Sequence, residues 1–406
     1  MKPDERDVTQ LVGRLIEDGV AAGASDIHFD PVGDGVIVRH RRDGILHEVE
    51  RLDAAIKDNL VARIKVLANL VVYKRNSPQE GRIVRRSVRD VPAAQNGVEF
   101  RVATFPTIHG EKVVIRIFDS AAVLLDIHSL GFDDAAVGSM LRLLENPQGV
   151  LLLTGPASSG KTTTIYSALN WITRNRRSVA NIITIEDPVE FDLKTISQTQ
   201  IDPYGGLTFA SALRSALRLD PEVLMIGEIR DPESAQIATQ AGLTGHLVIS
   251  TIHCGTAAGV FTRLIEMGIE PFLIASSVTG VVSQRLVRVL CDACKGPCRA
   301  DARVLDEFGI SADEAGAYFS PVGCARCNNA GYVGRTAIAE LLLVSDSIRQ
   351  LVLARATTNA IHEQALRDKM VPLKTDGLRK AARGVTSLEE LYRITMHKAF
   401  DNHATQ

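Results

Sequence analysis

Gly155 to Thr162, GPASSGKT, places two glycines, a lysine and a threonine at the spacing G-x-x-x-x-G-K-[ST], directly after the apolar run Val150–Leu153. A buried strand that runs into a tight glycine turn, with a helix opening near Lys161, converges backbone N–H groups on an anion. In that geometry Gly155, Ser158, Ser159, Gly160 and Thr163 cradle phosphate oxygens, Lys161 reaches the β- and γ-phosphates, and the Thr162 hydroxyl ligates Mg²⁺. The expected ligand is a nucleoside triphosphate. An ordinary glycine/serine turn is the competing reading.

Other residues carry chemistry at strand ends. Asn181–Ile185 reads as a strand that delivers Glu186, Asp187 and Glu190, carboxylates able to orient water or a metal; a solvated acidic turn stopped by Pro188 competes. Val223–Ile226 runs into Gly227 and Glu228, the pattern of a Walker B strand with glutamate where aspartate is usual. The strand HLVISTIH brings His246 and His253, although a histidine beside an apolar strand is more often structural. Arg101 and Arg116 sit on two strands, Val98–Phe105 and Lys112–Phe118, where a solvated strand face is the alternative. Cys291-x-x-Cys294 and Cys324-x-x-Cys327 form two knuckles able to give four thiolates to one structural Zn²⁺. Their interval exceeds the 15 to 20 residues common to such pairs, so Asp301–Ser320 is expected to form a helical excursion. Cys254 and Cys298 are left over, and Cys298 could compete as a ligand.

The surrounding elements must position these groups. Residues up to about Ala22 show helical apolar spacing, DIHFDP and GVIVRHRRDGIL alternate about an Asp43-Gly44 hairpin turn, and Asp53–Leu70 is helical in pattern. The fold class is α/β: a small N-terminal sheet domain (23–119) after a helix (1–22), then a linker and helix (120–145). A RecA-like P-loop domain follows (146–290), with an inserted tetracysteine module (291–335) and a helical C-terminal part (336–406). In the P-loop domain, alternating strands and helices predict a parallel sheet with ligands at the carboxyl ends of its strands.

Composition sets limits. The 406 residues are 45% hydrophobic and 23% charged, which supports two or three cored domains and excludes disorder or coiled coil for most of the chain. A net charge of -2 gives no global reason to expect nucleic acid; the basic clusters Arg39–Arg42 and Arg82–Arg89 read as solvated faces. A polar N-terminus and the lack of long apolar runs predict a cytoplasmic protein with no membrane span. Six cysteines in a chain of this size do not indicate a disulfide scaffold.

Taken in order, GPASSGKTTT, TIEDPVEF, LDPEVLMIGEIRD, AGLTGHLVISTIH and SQRLVRVLCDAC resemble the motifs of the type II secretion (general secretory pathway protein E-like) and type IV pilus assembly ATPases. The resemblance runs from ASDIHFDP at Ala24 to SLEELYRIT at Thr395. It implies a ring homo-hexamer with ATP held between the sheet domain of one subunit and the P-loop domain of its neighbour. By the same resemblance, Glu190 positions or deprotonates the attacking water, Glu228 supports the metal, and Glu186 and Asp187 line the site. Arg101 and Arg116 match paired arginine fingers, His253 matches a sensor and His246 its companion. The implied cofactors are ATP, Mg²⁺ and Zn²⁺. The implied partner is an inner-membrane platform protein at the cytoplasmic face, with membrane association through partners and no direct nucleic acid. The zinc module favours assembly over retraction. Rival expectations are a related ATPase for DNA uptake or conjugation, and a non-hydrolysing scaffold.

Departures from the pattern are also legible. Ala157 and Ser158 stand where Thr and Gly are usual, and Cys254-Gly255 replaces Thr-Asn. The chain opens almost at the sheet domain, so docking to the platform is expected to be shorter or different from that of longer relatives.

Overall fold

The alternation in DIHFDP and GVIVRHRR becomes β1 (Asp26–Val32) and β2 (Gly35–Arg42) of an antiparallel sheet completed by β3 (Ile45–Asp53), β4 (Gln79–Ile83), β5 (Val98–Thr107) and β6 (Gly110–Asp119). This computed structural model describes residues 5–83, 98–119, 126–176, 180–202, 205–311 and 318–396. Part of the basic run Arg82–Arg89, the linker 120–125 and the tail 397–406 lie outside those residues. The chain divides into two units, Met1–Val123 and Leu124–Gln406.

In the first unit the strand order is β3-β2-β1-β6-β5-β4. Every second residue faces the core: Ile27 and Phe29, Val36 and Val38, Phe100 and Val102, Val113 and Ile115 are all buried against the helices Glu5–Ala21 and Lys57–Leu67. Alternation then sends the remaining residues of each strand to the other face. Asp43 and Gly44 both take positive φ (48° and 84°), the geometry a two-residue hairpin between right-twisted strands requires. The predicted Asp53–Leu70 helix is a short 3-10 turn, Ala54–Ile56, followed by Lys57–Leu67.

The second unit holds a seven-stranded sheet in the order β15-β12-β7-β11-β10-β8-β9. Its members are β7 (Gly149–Thr154), β8 (Ile182–Glu186), β9 (Ser197–Gln200), β10 (Val223–Ile226), β11 (Leu247–Thr251), β12 (Val278–Leu290) and β15 (Tyr332–Leu343); a separate pair is β13 (Gly296–Cys298) with β14 (Tyr318–Ser320). All pairings from β12 to β9 are parallel, and β15 is antiparallel to β12. Buried on both faces, β7, β8, β10 and β11 are apolar throughout or nearly so, as parallel strands covered by helices must be. A parallel sheet places every strand's carboxyl end on one edge, so Thr154, Glu186, Ile226 and Thr251 all end there.

Two elements differ from the sequence reading. Residues 336–343, read as part of a helical region, are the second half of β15: TAIAELLL pairs residue by residue with β12, and its sheet partner overrides the helical propensity of Ala and Leu. Helices follow it at Asp346–Leu353, Thr358–Arg367, Leu373–Ala382 and Leu388–Thr395. Among the described residues of the excursion Asp301–Ser320, only Ala302–Phe308 is helical, and Tyr318–Ser320 pairs with Gly296–Cys298.

Candidate functional site

The phosphate-loop residues take the backbone their types allow. Gly155 has φ 142° and Gly160 φ 90°, and a Cβ on Gly155 would lie 2.4 Å from the Gln284 carbonyl oxygen, so neither position admits a side chain. The helix Lys161–Asn175 starts directly after Gly160. Gln284 of β12, fully buried, straps the loop in place: its Nε2 donates to the Ser159 carbonyl (2.8 Å) and its Oε1 accepts from the Thr164 hydroxyl (3.0 Å). The Ser159 hydroxyl is buried without a hydrogen-bond partner among the described residues, a polar atom aimed within the loop. Lys161 Nζ donates to the carbonyls of Gly155 (2.8 Å) and Pro156 (2.9 Å). Burial lowers its pKa, with nearby Glu228 opposing.

Around the loop, one cleft is lined by Lys161, Thr162, Glu186, Asp187, Glu190, Glu228 and His253, together with Arg230 and Thr251. Glu228 is the centre of its charges: His253 Nε2 lies 2.7 Å from Oε1, and Arg230 Nε lies 2.7 Å from Oε2. The oxygens of Thr162, Glu190 and Glu228 are hard ligands of the kind Mg²⁺ takes, and the glycine turn with its helix N-terminus suits phosphate, so the residues present fit both. Thr154 joins β7 to the histidine segment: its Oγ1 donates to the Cys254 carbonyl (2.8 Å) and accepts from the Cys254 N–H (2.9 Å). Both bonds use the Cys254 main chain, so the replacement of threonine by cysteine there leaves this link unchanged.

Three predicted residues stand differently from the rest. His246 precedes β11 at the amino edge of the sheet, where its ring Nδ1 lies 3.1 Å from the Ala241 carbonyl oxygen; the length of β11 separates it from the cleft. Sequence spacing could not separate the two histidines, because both flank the same strand. Arg101 and Arg116 belong to the first unit, on β5 and β6, at directly opposed positions. Arg101 stacks on the Phe118 ring at 4.5 Å, and Arg116 Nε is 2.9 Å from Asp26 Oδ1.

Sequence reasoning missed Tyr166, Gln198, Gln284 and Arg230. Tyr166 and Gln284 act through hydrogen bonds to residues 20 or more positions away, and Gln198 through bonds 5 to 12 positions away across an irregular segment; neither kind leaves a periodic signal. Gln284 lay in the quoted SQRLVRVLCDAC and Arg230 in the quoted GEIRD; Arg230 alone carried a local signal, a charge two residues from Glu228.

The four cysteines Cys291, Cys294, Cys324 and Cys327 have all their sulfurs within 4.8 Å of one another. Tetrahedral zinc bound to four thiolates at about 2.3 Å needs sulfur separations of about 3.8 Å. The observed pairs are 3.9 Å (Cys291–Cys324), 3.8 Å (Cys294–Cys327) and 3.7 Å (Cys324–Cys327), so the residues fit zinc. Burial disfavours the Cys327 thiolate, yet N–H groups of Cys324 and Gly331 point at its sulfur and pull its pKa down to about 6. Cys298 is not in the cluster.

Comparison with known proteins places this geometry. A model of the family described as "Type II/IV secretion system protein" matches residues 2–393. The chain is 44% identical to "Type II secretion system ATPase E" of Vibrio cholerae serotype O1 over 97% of its own length and 76% of the relative. It is 41% identical to "Type IV pilus assembly ATPase PilB" of Pseudomonas aeruginosa over 97% of its length and 68% of the relative. Among solved structures, the Legionella pneumophila ATPase DotB superposes with a TM-score of 0.67 at 20% identity, covering 94% of each chain, a likeness of fold alone. Among the described residues, no helix is long and apolar enough to cross a membrane.

Proposed function

The chain belongs to the Type II/IV secretion system protein family, and on that premise we propose that it is a hexameric ATP-hydrolysing motor that powers assembly of a pseudopilus or pilus. The observation that carries this reading is the convergence of Lys161, Thr162, Glu190, Glu228 and His253 on one cleft at the carboxyl edge of a parallel sheet. Secretion and pilus-assembly relatives of more than 40% identity support the choice of machine.

In this reading the loop amides from Gly155 to Thr163 and the Lys161 ammonium bind the phosphates. Thr162 and Glu228 would hold Mg²⁺, which would supply neutralisation of the phosphate charge. Glu190 orients and deprotonates the attacking water, and Asp187 lines the same cleft. His253, bonded to Glu228, reports the state of the γ-phosphate to its own strand. Arg101 and Arg116 of a neighbouring subunit stabilise charge that develops in the transition state. Cys291, Cys294, Cys324 and Cys327 would hold zinc, which would close the knuckles and supply folding energy only. Hydrolysis changes how adjacent subunits are clamped, and the resulting rotation passes to a platform protein at the cytoplasmic face of the inner membrane.

The test is ATPase activity against protein concentration for the wild type, Glu190→Gln and Arg101→Ala, alone and mixed, with size analysis alongside. Specific activity that rises as rings form, two inactive variants, and turnover restored on mixing are the expected results. Full activity in Arg101→Ala, or monomers that hydrolyse as fast as rings, overturns the shared site.

A further inference from the structure

Tyr166 lies on the helix that follows the phosphate loop, fully buried, and its hydroxyl touches two parts of the acidic segment at once. Oη donates to Glu186 Oε2 at 2.5 Å and accepts from the main-chain N–H of Glu190 at 3.3 Å. Glu186, 2% exposed, is held from its other oxygen by the Thr184 hydroxyl (2.6 Å) and by Gln198 Nε2 (3.0 Å). Gln198 continues the clamp: its Nε2 also donates to the Phe191 carbonyl (3.0 Å), and its Oε1 accepts from the Leu193 N–H (2.6 Å).

A carboxylate with three internal donors, taken from water, is committed to structure. Glu186 lines the cleft yet has its oxygens engaged behind it, whereas Asp187 is exposed. The segment that carries Glu190 has no helix or strand of its own, so side-chain bonds to its main chain, these together with the one from the Val189 N–H to Gln200 Oε1 (3.3 Å), help set its position. We propose that Tyr166, anchored on Glu186, is a positioning residue that fixes the main chain at Glu190 and so aims the Glu190 carboxylate at the water it activates. This rests on the reading of Glu190 given above. The hydroxyl suits the task because it is donor and acceptor together, and burial with the bond to Glu186 pushes its pKa far above the ordinary tyrosine value, so it stays protonated.

The experiment is Tyr166→Phe, which removes one oxygen and keeps the ring, beside Glu190→Gln and the double variant, all as full chains. Tyr166→Phe should lower kcat about 10- to 100-fold, as expected of a misplaced catalytic group, while nucleotide Kd stays within about twofold. Amide hydrogen exchange should quicken in the peptide spanning 187–193 and remain unchanged over the phosphate loop. The double variant should turn over no more slowly than Glu190→Gln alone, since Tyr166 acts through Glu190. Should Tyr166→Phe fail to fold, Gln198→Leu, which removes the other end of the clamp, carries the same expectation. Wild-type kcat in Tyr166→Phe beside an inactive Glu190→Gln overturns this inference alone, as does a double variant far below Glu190→Gln. Full turnover in Glu190→Gln overturns the reading of Glu190 and this inference with it.

Discussion

Arg101 and Arg116 stand directly opposite each other on β5 and β6, and Asp26 on β1 stands opposite Arg116 on its other side. The row continues to Arg41 on β2 and Arg82 on β4, so four arginines and one aspartate cross five adjacent strands in register. Like charges opposed across strands repel, and Asp26, buried at 6% exposure, is the one carboxylate within the row to offset them. It lies 2.9 Å from Arg116 Nε and 3.8 Å from Arg41 Nε.

Asp26→Asn should therefore destabilise the first unit by on the order of 1–3 kcal/mol, the cost of weakening a charged hydrogen bond. Thermal melting measures it. ATPase activity should fall as well, because Arg116 loses its orientation. A variant as stable and active as the wild type would show that the row needs no anchor.

Ser158 has φ 59°, in the left-handed region that costs a residue with a Cβ about 1–2 kcal/mol. Glycine removes that strain and returns part of the gain as unfolded-state entropy, so Ser158→Gly should stabilise by about 0.5–1 kcal/mol. Melting temperature reads the change, and nucleotide affinity should hold or tighten. A destabilised Ser158→Gly would mean that the serine side chain contributes more than its backbone costs.

Metal removal should act locally first. Dialysis against a strong chelator, or Cys327→Ser, should strip zinc, lower the melting temperature and expose amides between Cys291 and Gly331 to exchange. Elemental analysis supplies the count, with one zinc per chain expected. Native stability in a zinc-free preparation would refute a structural site.

Glu390 is fully buried between Arg288 Nη2 (2.7 Å) and Arg393 Nη2 (2.7 Å). Burial favours its neutral form, but hydrogen bonds from Arg393 and Arg288 outweigh that and hold its pKa below the ordinary carboxylate value. A folded pKa lower than the unfolded one contributes stability above the unfolded value, and that contribution vanishes as pH falls through the folded value. Glu390→Ala should cost about 3 kcal/mol at neutral pH, and its deficit against the wild type should shrink below about pH 4. Melting curves of both proteins from pH 7 to 3 check the sign. A deficit that grows on acidification would contradict it.

What the sequence alone determined is local. The strand, glycine turn and helix around Lys161 are contiguous, the Cys-x-x-Cys knuckles close over a few residues, and Asp43-Gly44 turns one hairpin; each needs only short-range sterics and periodicity. The fold class followed from those periods and from the order of motifs. Tertiary structure decided which of these pieces meet. Gln284 reaches Ser159 and Thr164, Tyr166 reaches Glu186 and Glu190, and Thr154 reaches Cys254 only because the parallel sheet sets distant segments side by side. The same topology put His253 at the carboxyl edge and His246 at the amino edge of one strand, and drew residues 336–343 into β15. Hydrogen bonds and charge pairs of this kind depend on separation in space, which pairing order sets and sequence distance does not.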